Sequence, residues 1–316
     1  MAGGQREVAR AISLIETHSP QRRDLIAALH PSTGRALRVG ITGGPGVGKS
    51  TLIAALLTHL RAGGRRVGVV SVDPTSPFSG GAVLGDRIRL AQHFLDPGVF
   101  IRSMGSRGHL GGLASATADA TAVLDAAGYD VVLVETVGAG QNEVEVRDLT
   151  ETVVLALMPG AGDAIQAIKA GVMEIPDVLA ICKADHPGVD ALRHELRGTL
   201  SLGPRGPWSP PIVTVVAPDG VGVAELWSAV EAHRAFLDAD GRLEERRREG
   251  AGRRLRAAAA DRLRHALELP AGQEALGALA ERVTARELDP DSALDELLSR
   301  AGVVTPAPGG AGTGSG

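Results

Sequence analysis

Residues 38–51 read RVGITGGPGVGKST. A short β-branched run, a glycine-rich turn and the first turn of a helical stretch follow one another with no spacer. Gly43-Gly44-Pro45-Gly46-Val47-Gly48-Lys49-Ser50-Thr51 fits the spacing G-x-x-x-x-G-K-[ST], in the strand-to-helix setting where that spacing carries meaning. The glycines let successive backbone N–H groups turn inward on phosphates, and the helix N-terminus adds its partial positive charge. Lys49 is then the cation for β- and γ-phosphates, and the Ser50 hydroxyl a ligand for Mg²⁺.

The pattern around this stretch extends the same architecture. Apolar, β-branched runs at 38–42, 66–72, 99–102, 129–135, 152–157, 177–182 and 211–216 alternate with helical stretches at 49–62, 113–126, 188–200 and 223–237. Continuous apolar strands separated by crossover helices predict an α/β fold: a doubly wound, mainly parallel sheet buried on both faces. We expect this domain to span 37–240. Ahead of it, Val8, Ile12, Ile15, Leu25, Ile26 and Leu29 mark an N-terminal helical extension within 1–36. Beyond Ala239 no strand-like run remains, so 241–303 are expected to form a C-terminal helical arm. The Gly, Ala and Pro-rich tail 304–316 is expected to be disordered. The basic run Arg246, Arg247, Arg248, Arg253, Arg254 and Arg256 reads as a solvated helix face, with a protein-partner surface as the alternative.

Composition narrows the function. The chain has 316 residues, 44% hydrophobic and 22% charged, with only 2% aromatics, so its core must be aliphatic. No apolar run approaches the ~20 residues of a membrane span, and the N-terminus, with Arg6 and Arg10, has no signal core. A cytoplasmic protein is expected. A net charge of −4 gives no basic excess for nucleic acid. The single cysteine, Cys182, excludes an internal disulfide and a cysteine metal cluster, and the histidines form no H-x-x-x-H pair. Of the 33 basic residues only Lys49, Lys169 and Lys183 are lysine. Where arginine is the default cation, a surviving lysine points to a position that needs a compact ammonium or a flexible stem.

Three more segments carry candidate chemistry. The run ending in Val72-Asp73, followed by Gly80-Gly81 and Gly85-Asp86, sets two carboxylates at the edge that the phosphate loop faces. Asp73 and Asp86 are candidate Mg²⁺ partners, directly or through water, or else caps and turn residues. The run 131–134 leads into Glu135-Thr136-Val137-Gly138, where Glu135 can serve Mg²⁺ or orient the attacking water. Gln141 is a weaker candidate for the water, and the Gly138 N–H is suited to a γ-phosphate. The run 178–181 delivers Cys182-Lys183-Ala184-Asp185, in which Lys-x-Asp suits guanine: the carboxylate accepts from N1 and N2, and the lysine stem lies along the base. His109, in the loop after the third run, borders the site or is structural.

Together "GITGGPGVGKST", "VDPTSPFSGGAVLGDRIR", "SRGHLGGL", "YDVVLVETVGAGQNEVEV" and "KAGVMEIPDV" resemble the MeaB/ArgK family of P-loop GTPases over about residues 5–240. The resemblance implies a homodimeric GTPase that acts as a chaperone of adenosylcobalamin-dependent acyl-CoA mutases of the methylmalonyl-CoA type. Such a protein gates cofactor loading and protects the mutase, which in turn stimulates its GTPase. By position it makes Lys49, Asp73 and Glu135 catalytic, and Ser50, Asp73, Asp86 and Glu135 the Mg²⁺ side. Gly43 to Thr51, Gly138, Cys182, Lys183, Asp185 and Ala217 become the nucleotide contacts. It also makes 158–169, with Asp163, Gln166 and Lys169, a switch that answers to the partner. The sequence departs from the family at Cys182 in place of Asn, at Val216 in place of Ser, and at Arg253-Arg254-Leu255 where Trp-Met is common. A metal-insertion GTPase and an ATPase or kinase associated with amino-acid transport are the alternatives. The first lacks cysteine or histidine ligands near the switches, and the second lacks a kinase catalytic loop.

Overall fold

The computed structural model describes residues 4–17, 19–73, 90–105, 112–136, 146–160, 176–202 and 206–300, with backbone only at Asp73, 112–115 and Asp261. Seven strands form one sheet: β1 (Leu37–Thr42), β2 (Val67–Asp73), β3 (Val99–Gly105), β4 (Val131–Thr136), β5 (Thr152–Leu157), β6 (Val178–Cys182) and β7 (Ile212–Val215). Their order is β3-β2-β4-β1-β5-β6-β7, and every pairing is parallel. The helices are α1 (Gln5–Glu16), α2 (Arg22–Leu29), α3 (Lys49–Ala62), α4 (Gly112–Ala126), α5 (Val189–Leu202), α6 (Val223–Asp238), α7 (Arg242–Glu268), α8 (Pro270–Thr284) and α9 (Pro290–Arg300). Every expected strand is present, and the expected doubly wound parallel α/β fold is the observed one.

Side-chain alternation along the strands divides the core in two. Val39, Ile41, Val67, Val69, Val131 and Leu133 face α3 and α6, where Leu52, Leu56, Leu57, Leu226 and Val230 meet them. Val70, Val72, Val132, Val134 and Val153 face α4, itself covered by Val8, Ile12 and Ile15 of α1. Those three positions recur at helical spacing, which is why α1 buries a single stripe. Burial on both faces explains why the strands read as unbroken apolar runs. Asp125 of α4 fastens the chain ahead of β1 by accepting the N–H groups of Gly34, Arg35 and Ala36 at 2.6, 3.1 and 2.9 Å.

The chain divides into two compact units, Met1–Arg254 and Leu255–Gly316. In the second, α8 and α9 pack through Leu279, Ala293 and Leu297, with an Arg282–Glu296 pair at 2.8 Å.

Within the first unit, the N-terminal edge of the sheet carries ion pairs that correct the sequence reading of the arginine run. Arg246 donates to both oxygens of Asp177 at 3.0 and 2.6 Å, and Arg247 donates to Glu151 at 3.1 Å. Arg253 pairs with the Asp148 carboxylate, and Arg254 donates to the Asp148 carbonyl. Only part of the run is solvated; the Arg248 side chain is 78% exposed. Glu151 also accepts from the Arg38 guanidinium at 2.6 Å and from the Arg38 N–H at 2.8 Å. Burial alone would push the Glu151 carboxyl up, but these cations and donors outweigh it and hold it below the ordinary carboxylate range. The carboxylates lie just before β5 and β6, and sequence spacing gives no hint that a distant helix reaches them.

Candidate nucleotide site

Both neighbours of β1 in the sheet, β4 and β5, come later in the chain, and β2 lies beyond β4. Such a reversal opens a crevice at the C-terminal edge, where the glycine-rich loop sits. Gly48 caps α3 with φ 104°, a left-handed conformation that a side chain resists. Gly43 (φ 141°) is needed for a different reason: a Cβ there would lie 2.2 Å from the carbonyl oxygen of Ala156 on β5. Around Gly46 and Gly48, by contrast, a Cβ would meet nothing within 4 Å, so what these two positions require is the positive φ and not the space. Lys49 is buried, and its Nζ donates to the carbonyls of Gly43 and Gly44 at 2.8 and 3.0 Å. An anionic phosphate oxygen is a stronger acceptor than either carbonyl.

Ser50, the next residue of α3, donates its hydroxyl to Glu135 Oε1 at 2.9 Å. Glu135 is 1% exposed near the end of β4, and its Oε2 accepts from the Ser71 hydroxyl of β2 at 3.0 Å. Register explains the meeting, since Glu135 stands beside Ile41 on one side and Ser71 on the other. A buried hydroxyl next to a buried carboxylate is the hard oxygen donor set that Mg²⁺ takes, so Ser50 and Glu135 fit that ion. Among the described residues, the hydroxyls of Thr42 and Thr136, at the ends of β1 and β4, are buried without a hydrogen-bond partner. Asp73 closes β2 in register with Gly105, at the same edge of the sheet. Asp86, His109, Gly138, Gln141, Asp163, Gln166 and Lys169 lie outside the described residues.

The second half of the site follows β6. Cys182 is 2% exposed, inside the apolar cluster under α3. Burial pushes its thiol up to about 11, with Lys183 and then Lys49 pulling the other way. The thiol is therefore a neutral, weak donor. Lys183 has φ 51°, a strained conformation for a side-chain-bearing residue. That turn is held by Ala184 N–H to Val215 O at 3.2 Å and His186 N–H to Lys183 O at 3.0 Å. It sends Asp185 outward, 59% exposed and 4.0 Å from His186 Nε2. Ala217, buried after β7, opens a 3-10 turn that contacts α3. The structure thus joins Ser50 and Glu135 directly, holds Lys49 against the loop carbonyls of Gly43 and Gly44, and sets Cys182, Lys183, Asp185 and Ala217 at the ends of β6 and β7.

Ser71 is the site residue that the sequence reading missed. The available signal was a lone hydroxyl within the otherwise apolar Val67–Val72 run.

Residues 8–270 match the family described as methylmalonyl Co-A mutase-associated GTPase MeaB. A relative from Pyrococcus abyssi, named as a candidate GTPase, is 47% identical over 94% of this chain and 93% of its own. GTPase ArgK of Escherichia coli is 38% identical over 78% of this chain and 77% of its own. The crystal structure of a LAO/AO transport system kinase superposes with a TM-score of 0.73 at 30% identity, covering 95% of this chain and 94% of that one. Among the described residues no helix is long and apolar enough to cross a membrane.

Proposed function

Because the chain belongs to the MeaB family of P-loop GTPases, we propose that it hydrolyses GTP to GDP and phosphate as the chaperone of an adenosylcobalamin-dependent acyl-CoA mutase, gating cofactor loading and protecting the enzyme. The observation that carries the nucleotide half of this reading is the contact between the loop and the metal-side acid. Ser50 of α3 and Glu135 of β4 share a buried hydrogen bond beside an ammonium held at the loop backbone. The mutase half rests on the family description.

In this reading the loop N–H groups and the N-terminus of α3 receive the phosphates. The Lys49 ammonium leaves the Gly43 and Gly44 carbonyls for the β- and γ-oxygens, whose charge grows toward the transition state. Ser50 and Glu135, with Asp73 and Asp86 as further acids, would hold a Mg²⁺, which would supply positive charge to offset the negative charge developing on the phosphate oxygens. Glu135 is also the acid available to orient the attacking water, and Gly138 the N–H for the γ-phosphate. Asp185 accepts from guanine N1–H and N2–H, Lys183 lies along the base, and the Ala217 backbone meets O6. Cys182, a poor donor, leaves N7 with a weak partner. Adenine offers Asp185 no such pair of donors, so GTP is the preferred substrate. On the same reading 37–240 is the catalytic domain, preceded by the extension 1–36. The arm 241–303 pairs two copies, the tail 304–316 lies outside the described residues, and Asp163, Gln166 and Lys169 answer to the partner.

The deciding experiment compares GTP and ATP turnover with and without a purified adenosylcobalamin-dependent acyl-CoA mutase. Slow GTP turnover that the mutase raises, with little ATP turnover, is expected. ATP turnover equal to that of GTP would overturn the base assignment, and GTP turnover indifferent to the mutase would overturn the partner.

A further inference from the structure

We propose that Ser71 is a positioning residue for Glu135: by holding Oε2 it presents Oε1 to the Ser50 side of the phosphate loop, where the divalent cation is taken up. The inference rests on the reading of Glu135 as a metal-side carboxylate and adds to it a residue on a strand that carries no part of the loop.

The geometry is specific. Ser71 and Glu135 are register partners on β2 and β4, so their side chains leave the sheet on the same face. That face is the α3 face, where Val69 and Leu133 pack two residues earlier on the same strands. Ser71 is 1% exposed, and a hydroxyl so buried is costly unless it is hydrogen-bonded. Its donation to Oε2 at 3.0 Å goes to a carboxylate, the stronger kind of acceptor. The terminal torsion of a glutamate is broad and nearly two-fold, so an unheld carboxylate exchanges its oxygens or meets a cation with both. With Oε2 held from β2 and Oε1 2.9 Å from Ser50 Oγ on α3, the two carboxylate oxygens have different partners, and Oε1 is the one that would be offered to a cation taken up beside Ser50. On this proposal Ser71 acts through Glu135, the partner its hydroxyl donates to.

The test measures Mg²⁺ coupling in binding, apart from turnover. Labelled GDP is titrated into the full chain in EDTA and in excess Mg²⁺, and the ratio of the two Kd values is taken. Ser71→Ala is expected to reduce that ratio about three- to tenfold, the worth of one hydrogen bond, and to leave the Kd in EDTA unchanged. Ser71→Thr, which keeps the hydroxyl, is expected to retain the wild-type ratio. In a Glu135→Gln background the Ser71→Ala change is expected to have no further effect on it, because the two act as one unit. Ser71→Cys, close in volume and a weak donor, repeats the Ala result if the Ala variant folds poorly. An unchanged ratio in Ser71→Ala alongside a reduced one in Glu135→Gln overturns the proposal, and so does additivity of the two changes. An unchanged ratio in both overturns the metal-side assignment of Glu135 itself.

Discussion

Mild acid should weaken the fold through one buried imidazole, His233. It is 1% exposed on α6, with Nδ1 2.9 Å from the Thr152 hydroxyl and Nε2 3.3 Å from Asp177 Oδ1. The neutral tautomer that fits has Nε2–H donating to Asp177 and Nδ1 accepting from Thr152. Burial holds the imidazole well below its ordinary value, at about 4; Asp177 opposes this, and Arg246, already paired with the same carboxylate, adds to it. Because the folded value lies below the unfolded one, the unfolded chain takes up the proton first. Stability attributable to His233 is therefore intact above pH 6.5, falls as pH drops, and stops falling near pH 4. At about 1.4 kcal/mol per pH unit, the loss between pH 7.5 and pH 5 is about 2 kcal/mol. Urea unfolding at the two pH values measures it in the wild type and in His233→Gln, which cannot titrate. The variant should be less stable throughout and show a smaller difference between the two pH values. If both proteins lose the same stability, the imidazole is not held neutral by this burial and the reasoning fails.

Three further outcomes are expected. Lys49→Ala should lower GTP turnover at least ~100-fold, since it removes the loop's ammonium, and retained turnover would refute the phosphate-loop reading. Lys183→Gly should raise unfolding stability by about 0.5–1 kcal/mol by relieving a left-handed backbone while weakening labelled-GDP binding; unchanged binding would remove Lys183 from the base site. Cys182→Asn should tighten GTP and GDP about three- to tenfold by supplying an amide for guanine N7. The same change should lower stability, since an amide enters an apolar cluster. Equal or weaker binding in a nucleotide titration would mean that the pocket is built around the thiol.

What could be read from the chain alone was whatever is encoded locally. The strand runs and α3 are continuous patterns, so a single segment suffices to recognise each, and Gly43 to Ser50 is one contiguous motif. Glu135 was legible because an acid ending an apolar strand is itself a local pattern. The ion pairs of Arg246 with Asp177 and Arg247 with Glu151 were not legible, since they join residues about 70 and 100 positions apart. Basic residues on a helix look solvated until the tertiary fold supplies a carboxylate. Ser71 escaped for the same reason: its meaning lies in the β2–β4 register, which no window of sequence contains.

The contact between Gly43 and Ala156 has a mechanical consequence. Side chains between two elements act as springs, because a change of rotamer can absorb a shift of several tenths of an ångström. Here backbone rests on backbone, with no side chain between, and a Cβ at Gly43 would fall 2.2 Å from the Ala156 oxygen. The first residue of the loop and the end of β5 are thus a stiff joint. Any displacement of Gly43 on phosphate binding would pass to Ala156 with little damping. Leu157 leads directly into Met158, the first residue of the stretch proposed to answer to the partner. Strain generated at the phosphate end of the nucleotide would therefore reach that stretch within two residues of the contact.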